Sequence, residues 1–152
     1  TPKRRDRLFD LIRQQAVAWS IASVSAEEID EIDILNARMK AMQMAIDGLT
    51  PPADFALIDG NRDHGSRCAI ITAHETVVKG DSRSPSIAAA SILAKVGRDR
   101  YMEELAEKYP QYRFEQHKGY PTKLHYQMLD QFGPSPIHRR TFLAKWEARR
   151  HG

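Results

Sequence analysis

FALIDGN at residues 55–61 and TVVKGDS at residues 76–82 decide how this chain folds. Each is a short apolar run that stops at a carboxylate, Asp59 in the first and Asp81 in the second. Short apolar runs bounded by Gly, Pro and Asp read as buried strands. Pro51 and Pro52 turn the chain into the first, so strands are expected at 55–58 and at about 76–79. AWSIASV (18–24) reads as another short strand.

The rest is helical in pattern. Thr1 is placed as an N-cap with Pro2 at the first helical position, and Leu8, Leu11, Ile12 and Ala16 recur at helical spacing. Ser25 and Glu28 form a capping box. The helix it opens carries Ile29, Ile32, Leu35, Met39, Met42 and Ile46 on one face and stops at Gly48. The methionines read as core filling. A long helix is expected from Ser86 to near Tyr109, a loop at HKGYPT (117–122), a short helix capped by Thr122, and a basic helix to the end. This order of helices and strands argues an α/β layered domain. One domain over residues 1–152 is expected, with a basic helical tail from about 122.

Composition limits the function classes. With 152 residues, 41% hydrophobic and 28% charged, the chain can bury a real core. No apolar run approaches the roughly 18–20 residues of a membrane span, and TPKRRDR does not read as a signal peptide. The single cysteine, Cys68, excludes an internal disulfide and a cysteine-built zinc site, and fits a reducing, cytoplasmic setting. The net charge of +3 leans only mildly towards a polyanionic partner.

Two carboxylates at two strand ends raise a chemical question. Asp59-Gly60 is a common turn pair, and Gly80-Asp81-Ser82 ahead of Ser84-Pro85 suits a turn and a helix cap. In an α/β sheet, however, loops beyond strand ends form the crevice where ligands sit. Carboxylates converging there repel one another and call for a cation. Oxygen-only ligands favour Mg²⁺ or Mn²⁺, and two such ions are a standard device for phosphodiester cleavage. Asp99 and Glu103 on the long helix read as solvent-facing or salt-bridged.

HKGYPT is the second constellation. His117 and Lys118 offer donors for phosphate oxygens, Gly119 allows close backbone approach, and Tyr120 offers a flat ring. An ordinary surface loop with a buried Tyr120 fits the same residues. Lys79, Lys95 and Arg98 flank the presumed crevice with nothing to separate them from surface charges. The tail, HRRTFLAKWEARRHG, suits either a phosphate-gripping helix or one that docks Phe142, Leu143 and Trp146 on the core.

Taken in order and at their spacing, LIDGN, KGDS, AAASILAKVGRDR, QHKGYPT and GPSPIHRRTF resemble bacterial ribonuclease HII across essentially the whole chain. The resemblance implies a ribonuclease H-like layered fold with a C-terminal helical extension. It implies hydrolysis of the RNA strand of RNA–DNA hybrids, and incision 5′ of ribonucleotides embedded in duplex DNA, leaving a 3′-hydroxyl and a 5′-phosphate. Carried over by position, Asp59 and Asp81 match the third and fourth members of the family's acidic quartet, as ligands of a two-metal site holding Mg²⁺ or Mn²⁺. Tyr120 matches the tyrosine that packs on the sugar beside the ribonucleotide, with His117 and Lys118 near the backbone phosphates. No membrane partner is expected, and the full-length protein is expected to be a monomer.

The chain departs from the family pattern at its start. The family's first two acidic residues lie in an Asp-Glu-x-Gly-Arg-Gly segment followed by a strand and a Ser-Lys-Lys stretch, and none of these is in the sequence. The chain therefore resembles the C-terminal three-quarters of the enzyme, and little activity is expected of it alone. Rival readings are a non-catalytic nucleic-acid-binding fragment, another two-metal nuclease or transposase-like member of the fold, and a purely structural α/β domain.

Overall fold

Thr1 caps the first helix through its hydroxyl, which accepts from the Arg4 amide at 3.3 Å, and Pro2 opens α1 (Pro2–Gln15). The computed structural model describes residues 1–151, the side chains of Thr141 and His151 apart; Gly152, the end of the basic tail, lies outside the described residues. The chain divides into two units, one of residues 1–96 and one from Gly97 on.

In the first unit α1 is followed by α2 (Ala26–Ile32), α3 (Ile34–Asp47), β1 (Ala56–Asp59), β2 (His74–Val77), α4 (Gly80–Arg83) and the first part of α5 (Pro85–Lys108). Phe9 and Ile12 of α1 pack on Ile92, Leu93 and Val96 of α5. A separate cluster joins Met39, Leu35, Met42 and Ile46 of α3 to Ala56 and Ile58 of β1, with Cys68 and Ile70. The methionines at 39 and 42 thus fill the core as expected, whereas Met44 is exposed.

Two expectations fail here. The single helix from Ser25 to Gly48 is broken at Asp33, which has a left-handed φ of 72°. Asp33 caps α3 by accepting the Asn36 amide at 3.0 Å, so a carboxylate that suited helical periodicity starts a new helix instead. Only half of the capping box forms: Ser25 accepts from the Glu28 amide, while the Glu28 carboxylate meets Lys40. The second failure is the strand at 18–24. The segment alternates as a strand does, with Trp19 and Ile21 exposed and Ala18, Ser20, Ala22 and Val24 half-buried, yet it joins no sheet among the described residues. Alternation places side chains; a strand also needs a partner.

The sheet described has two strands, β1 and β2, paired in parallel with Ala56 opposite His74 and Asp59 opposite Val77. Strand β2 lies two residues earlier than expected because Lys79 already adopts a left-handed turn (φ 53°) into α4. Residues 60–73 connect the strands without a helix, and α3 holds them. Asn36 is 1% exposed. Its side-chain oxygen accepts from the amides of Arg67 and Cys68 at 2.8 and 3.0 Å, and its NH₂ donates to the Ile32 carbonyl, Asp33 and Ser66. A Cβ on Gly65 would lie 2.3 Å from that oxygen, so the loop takes no side chain there. Further along, Gln43 accepts from the Ile71 amide at 2.7 Å and donates to Thr72.

The second unit holds the rest of α5, a 3-10 turn (Pro110–Tyr112), α6 (Phe114–His117), α7 (Lys123–Phe132) and α8 (Arg140–His151). Thr122 caps α7 as expected, accepting from the His125 amide. Leu105, Tyr112, Phe114, Tyr126, Leu129, Phe142 and Trp146 form one core. The tail therefore docks Phe142 and Trp146, and Trp146 donates its indole N–H to Asp130 at 2.8 Å. Two of its cations lie over rings, Arg149 over Tyr126 and Arg150 over Trp146.

Asn36→Ala leaves two loop amides and the helix end unpaired in a dry site, and is expected to cost roughly 2–4 kcal/mol in urea unfolding. A loss below about 0.5 kcal/mol would show that residues 66–68 are held by other means.

Candidate active site and nucleic-acid contact loop

Parallel pairing puts the C-terminal ends of β1 and β2 side by side, and the Gly60 amide extends the ladder by donating to Val77 at 2.9 Å. Past Val77 the chain turns at Lys79, so the buried Gly80 amide points at the neighbouring strand end. It donates to Asp59 Oδ1 at 2.8 Å. Glycine leaves room here: a Cβ would stand 2.5 Å from Ile87 Cδ1 and 3.1 Å from Asp59 Oδ1 and would push on both side chains. One bond thus orients Asp59 and fixes the start of α4, where Asp81 follows. Both carboxylates are exposed at the same end of the sheet.

Their oxygens suit a hard divalent cation in kind. In number they fall short, since no group of three or more His, Cys, Asp or Glu side chains able to hold an ion occurs among the described residues. Glu103, expected to be solvent-facing or salt-bridged, is exposed and lies 3.7 Å from Lys118.

Tyr120, Lys118 and His117 belong to the second unit. Lys118 ends α6 in a left-handed conformation (φ 54°) and Gly119 continues it (φ 83°). These two residues reverse the chain and bring out Tyr120, which is 51% exposed rather than buried. Arg98 secures the turn from α5. It donates to the Lys118 carbonyl at 2.7 Å and places its guanidinium 5.0 Å from the centre of the Tyr120 ring. His117 faces inward instead, 4% exposed, with Nε2 on the Tyr112 carbonyl and Nδ1 accepting from the Gly119 amide. A ring so placed has no free donor for a phosphate; its work is on the loop backbone.

Two further histidines lie with it. His125 stacks on His117 with centroids 4.0 Å apart, and its Nε2 is 2.8 Å from Nε2 of His138. Burial pushes all three below the ordinary histidine value of 6.5, to about 4 for His125 and for His138. The opposite case is in the first unit. A hydrogen bond to Asp63 raises His74, and bonds from His74 and His64 hold Asp63 down at about 2. Sequence reading left Arg98 among ordinary surface cations and did not single out His125 or His138. Their spacing along α7 and in the loop before α8 gives no local sign that they meet.

A family model described as Ribonuclease HII matches residues 1–145. Ribonuclease HII of Bordetella avium is 49% identical over 140 residues, covering 92% of this chain and 67% of that protein. Ribonuclease HII of Aliivibrio fischeri strain MJ11 is 52% identical over 142 residues, covering 93% and 67%. The crystal structure of the ribonuclease H2 from Pyrococcus horikoshii OT3 aligns with a TM-score of 0.76 at 26% identity, over 98% of this chain and 77% of that one. The fold is thus the α/β type of a ribonuclease H. The chain belongs to the ribonuclease HII family, whose members are ribonuclease H enzymes. None of its described helices is long and apolar enough to cross a membrane.

The histidine shifts carry a pH signature. As pH falls through 6.5 the unfolded chain takes up protons that folded His125 and His138 refuse until about 4. Stability is therefore lost across that window, by roughly 3 kcal/mol per ring at most. Asp63 adds its own loss only as pH falls from 3.8 through about 2. The urea midpoint is expected to fall steadily between pH 6.5 and 4.5; a flat profile there would contradict buried neutral rings.

Proposed function

We propose that the chain carries part of the active site of an endonuclease that hydrolyses RNA in RNA–DNA hybrids and incises 5′ of ribonucleotides embedded in duplex DNA. The observation that carries this reading is Asp59, oriented by the Gly80 amide beside Asp81, in a chain that matches the ribonuclease HII family over residues 1–145. Asp59 and Asp81 are assigned as carboxylates for a two-metal site taking Mg²⁺ or Mn²⁺. Bound there, such ions supply the charge that activates water and relieves the leaving oxygen.

The chain's own residues do the placing. Asp59 keeps one oxygen on Gly80, which orients its carboxylate, and Oδ2 accepts no hydrogen bond among the described residues. Tyr120, preset by Arg98, offers its exposed face to a sugar at the RNA–DNA junction, where the 2′-hydroxyl marks the target. Lys118 stands next to it as the phosphate-side cation. His117 serves by holding Gly119. Two carboxylates under-coordinate a metal pair, so slow turnover is the outcome in keeping with this site.

The test uses purified chain with duplex DNA carrying one ribonucleotide, with Mg²⁺ or Mn²⁺. Cleavage is expected to be slow, to stop with chelator, and to drop at least about tenfold in Asp59→Asn. Activity indifferent to Asp59→Asn overturns the assignment. Tight, salt-dependent hybrid binding with no cleavage at all favours the non-catalytic fragment instead. On the same reading, Tyr120→Ala weakens hybrid binding about tenfold and affects an all-DNA duplex less.

A further inference from the structure

The loop that presents Tyr120 is held by histidine rings acting on its backbone, and the hydrogen bonds fix where every ring proton sits. The Ser135 amide donates to His138 Nδ1 at 3.0 Å, with the Ser135 hydroxyl at 2.8 Å from the same atom. Nδ1 is thus an acceptor and the His138 proton is on Nε2. That N–H meets His125 Nε2 at 2.8 Å, which must then be bare. The His125 proton is left on Nδ1, from which it donates to the Tyr120 carbonyl at 3.0 Å. Alongside, the Gly119 amide donates to His117 Nδ1 at 3.0 Å, and His117 Nε2–H donates to the Tyr112 carbonyl at 2.5 Å. Each step forces the next, and one set of tautomers satisfies them all.

A second proton on any ring breaks the set. On His125 it would face the N–H of His138; on His138, the Ser135 amide; on His117, the Gly119 amide. The surroundings offer little relief. Phe114 and Phe142 pack on His125 and His138, and the Tyr112 ring lies edge-on to His138. The Tyr112 hydroxyl donates to the Gly133 carbonyl. Glu115 of α6 favours a charged His117, while the histidines disfavour charge on one another. Beyond the rings, Arg98 and Glu103 of α5 engage Lys118, and Arg139 and Arg140 flank the start of α8.

We propose that His125 and His138 are positioning residues for nucleic-acid recognition: the relay from Ser135 through His138 and His125 to the Tyr120 carbonyl sets the backbone from which the Tyr120 ring is presented, and it operates only while all three histidines are uncharged. This rests on the reading of Tyr120 as a nucleic-acid contact. Arg98 orients the ring from outside, and the relay anchors its backbone from inside.

Long-range ¹H–¹⁵N spectra of the histidine rings in the 152-residue chain test the relay directly. At pH 6 the expected result is three neutral rings, His125 as the Nδ1–H tautomer and His117 and His138 as Nε2–H. A cationic ring among them, or His125 protonated on Nε2, overturns the proposal. Affinity for a fluorescent RNA–DNA hybrid tests its function. His138→Ala removes the donor to His125 and is expected to weaken binding on the order of tenfold. His138→Gln returns a donor and is expected to restore most of the loss. A folded His138→Ala that binds as tightly as the unsubstituted chain overturns the positioning role. Where His138→Ala does not fold, His138→Gln and the ring spectra decide: tight binding by His138→Gln together with the expected tautomers supports the relay. No hybrid binding by the unsubstituted chain sinks the functional reading of Tyr120. The relay is then judged by its tautomers and by whether His138→Gln leaves the Tyr120 amide resonance in place.

Discussion

Two parallel strands cannot be joined by a tight turn, so the chain between Asp59 and His74 has to travel back along the sheet before it can pair. In most α/β units a helix makes that journey and packs its own apolar face. Here residues 60–73 make it without one, and α3 supplies what a crossover helix would have supplied. Asn36 and Gln43 offer amide groups to a backbone whose own pairing is a single antiparallel bridge between His64 and Ala69, and Asp63 reaches His74 at the start of β2 at 2.9 Å. With the return path pinned, β2 registers with Asp59 opposite Val77, and the Gly80 amide arrives where Asp59 can accept it. The carboxylate geometry therefore depends on polar contacts made at the far side of the loop.

Much of this frame was legible from sequence because its signals are local. Thr1, Ser25 and Thr122 cap the helices they were expected to cap, and both apolar runs ending at carboxylates lead into strand ends. What was illegible was decided at a distance. Ile29, Ile32 and Leu35 keep helical spacing straight through Asp33, so periodicity hid a break that only the cap on Asn36 reveals. The segment 18–24 has a strand's alternation, but pairing is a property of two segments and one segment cannot announce it. His117 looked like a surface donor because it opens a short polar stretch with a glycine and a proline; burial of its ring depends on α7 and on Phe114.

The two candidate regions are built on opposite electrostatic terms. At the strand ends both carboxylates are exposed, and a backbone amide orients Asp59. Around HKGYPT the supporting groups are rings kept uncharged by burial, so the charges near the loop are those of Arg98, Lys118 and the Glu103 that pairs with Lys118. On the proposed reading of the loop as a polyanion contact, uncharged rings add no charge of their own beneath it.

Lys118 and Gly119 take left-handed backbone angles in succession, and what grips them is directed at peptide groups: Arg98 at one carbonyl, His125 at another, His117 at an amide. A peptide group is the same whatever residue carries it. The shape of the turn is therefore written in its supports, while the side chains it displays are left open to change. On the proposed reading of the loop, a substitution at Tyr120 changes what is displayed to a nucleic-acid backbone while the supports of the turn stay in place, whereas Lys118, at φ 54° and paired with Glu103, is less free to change.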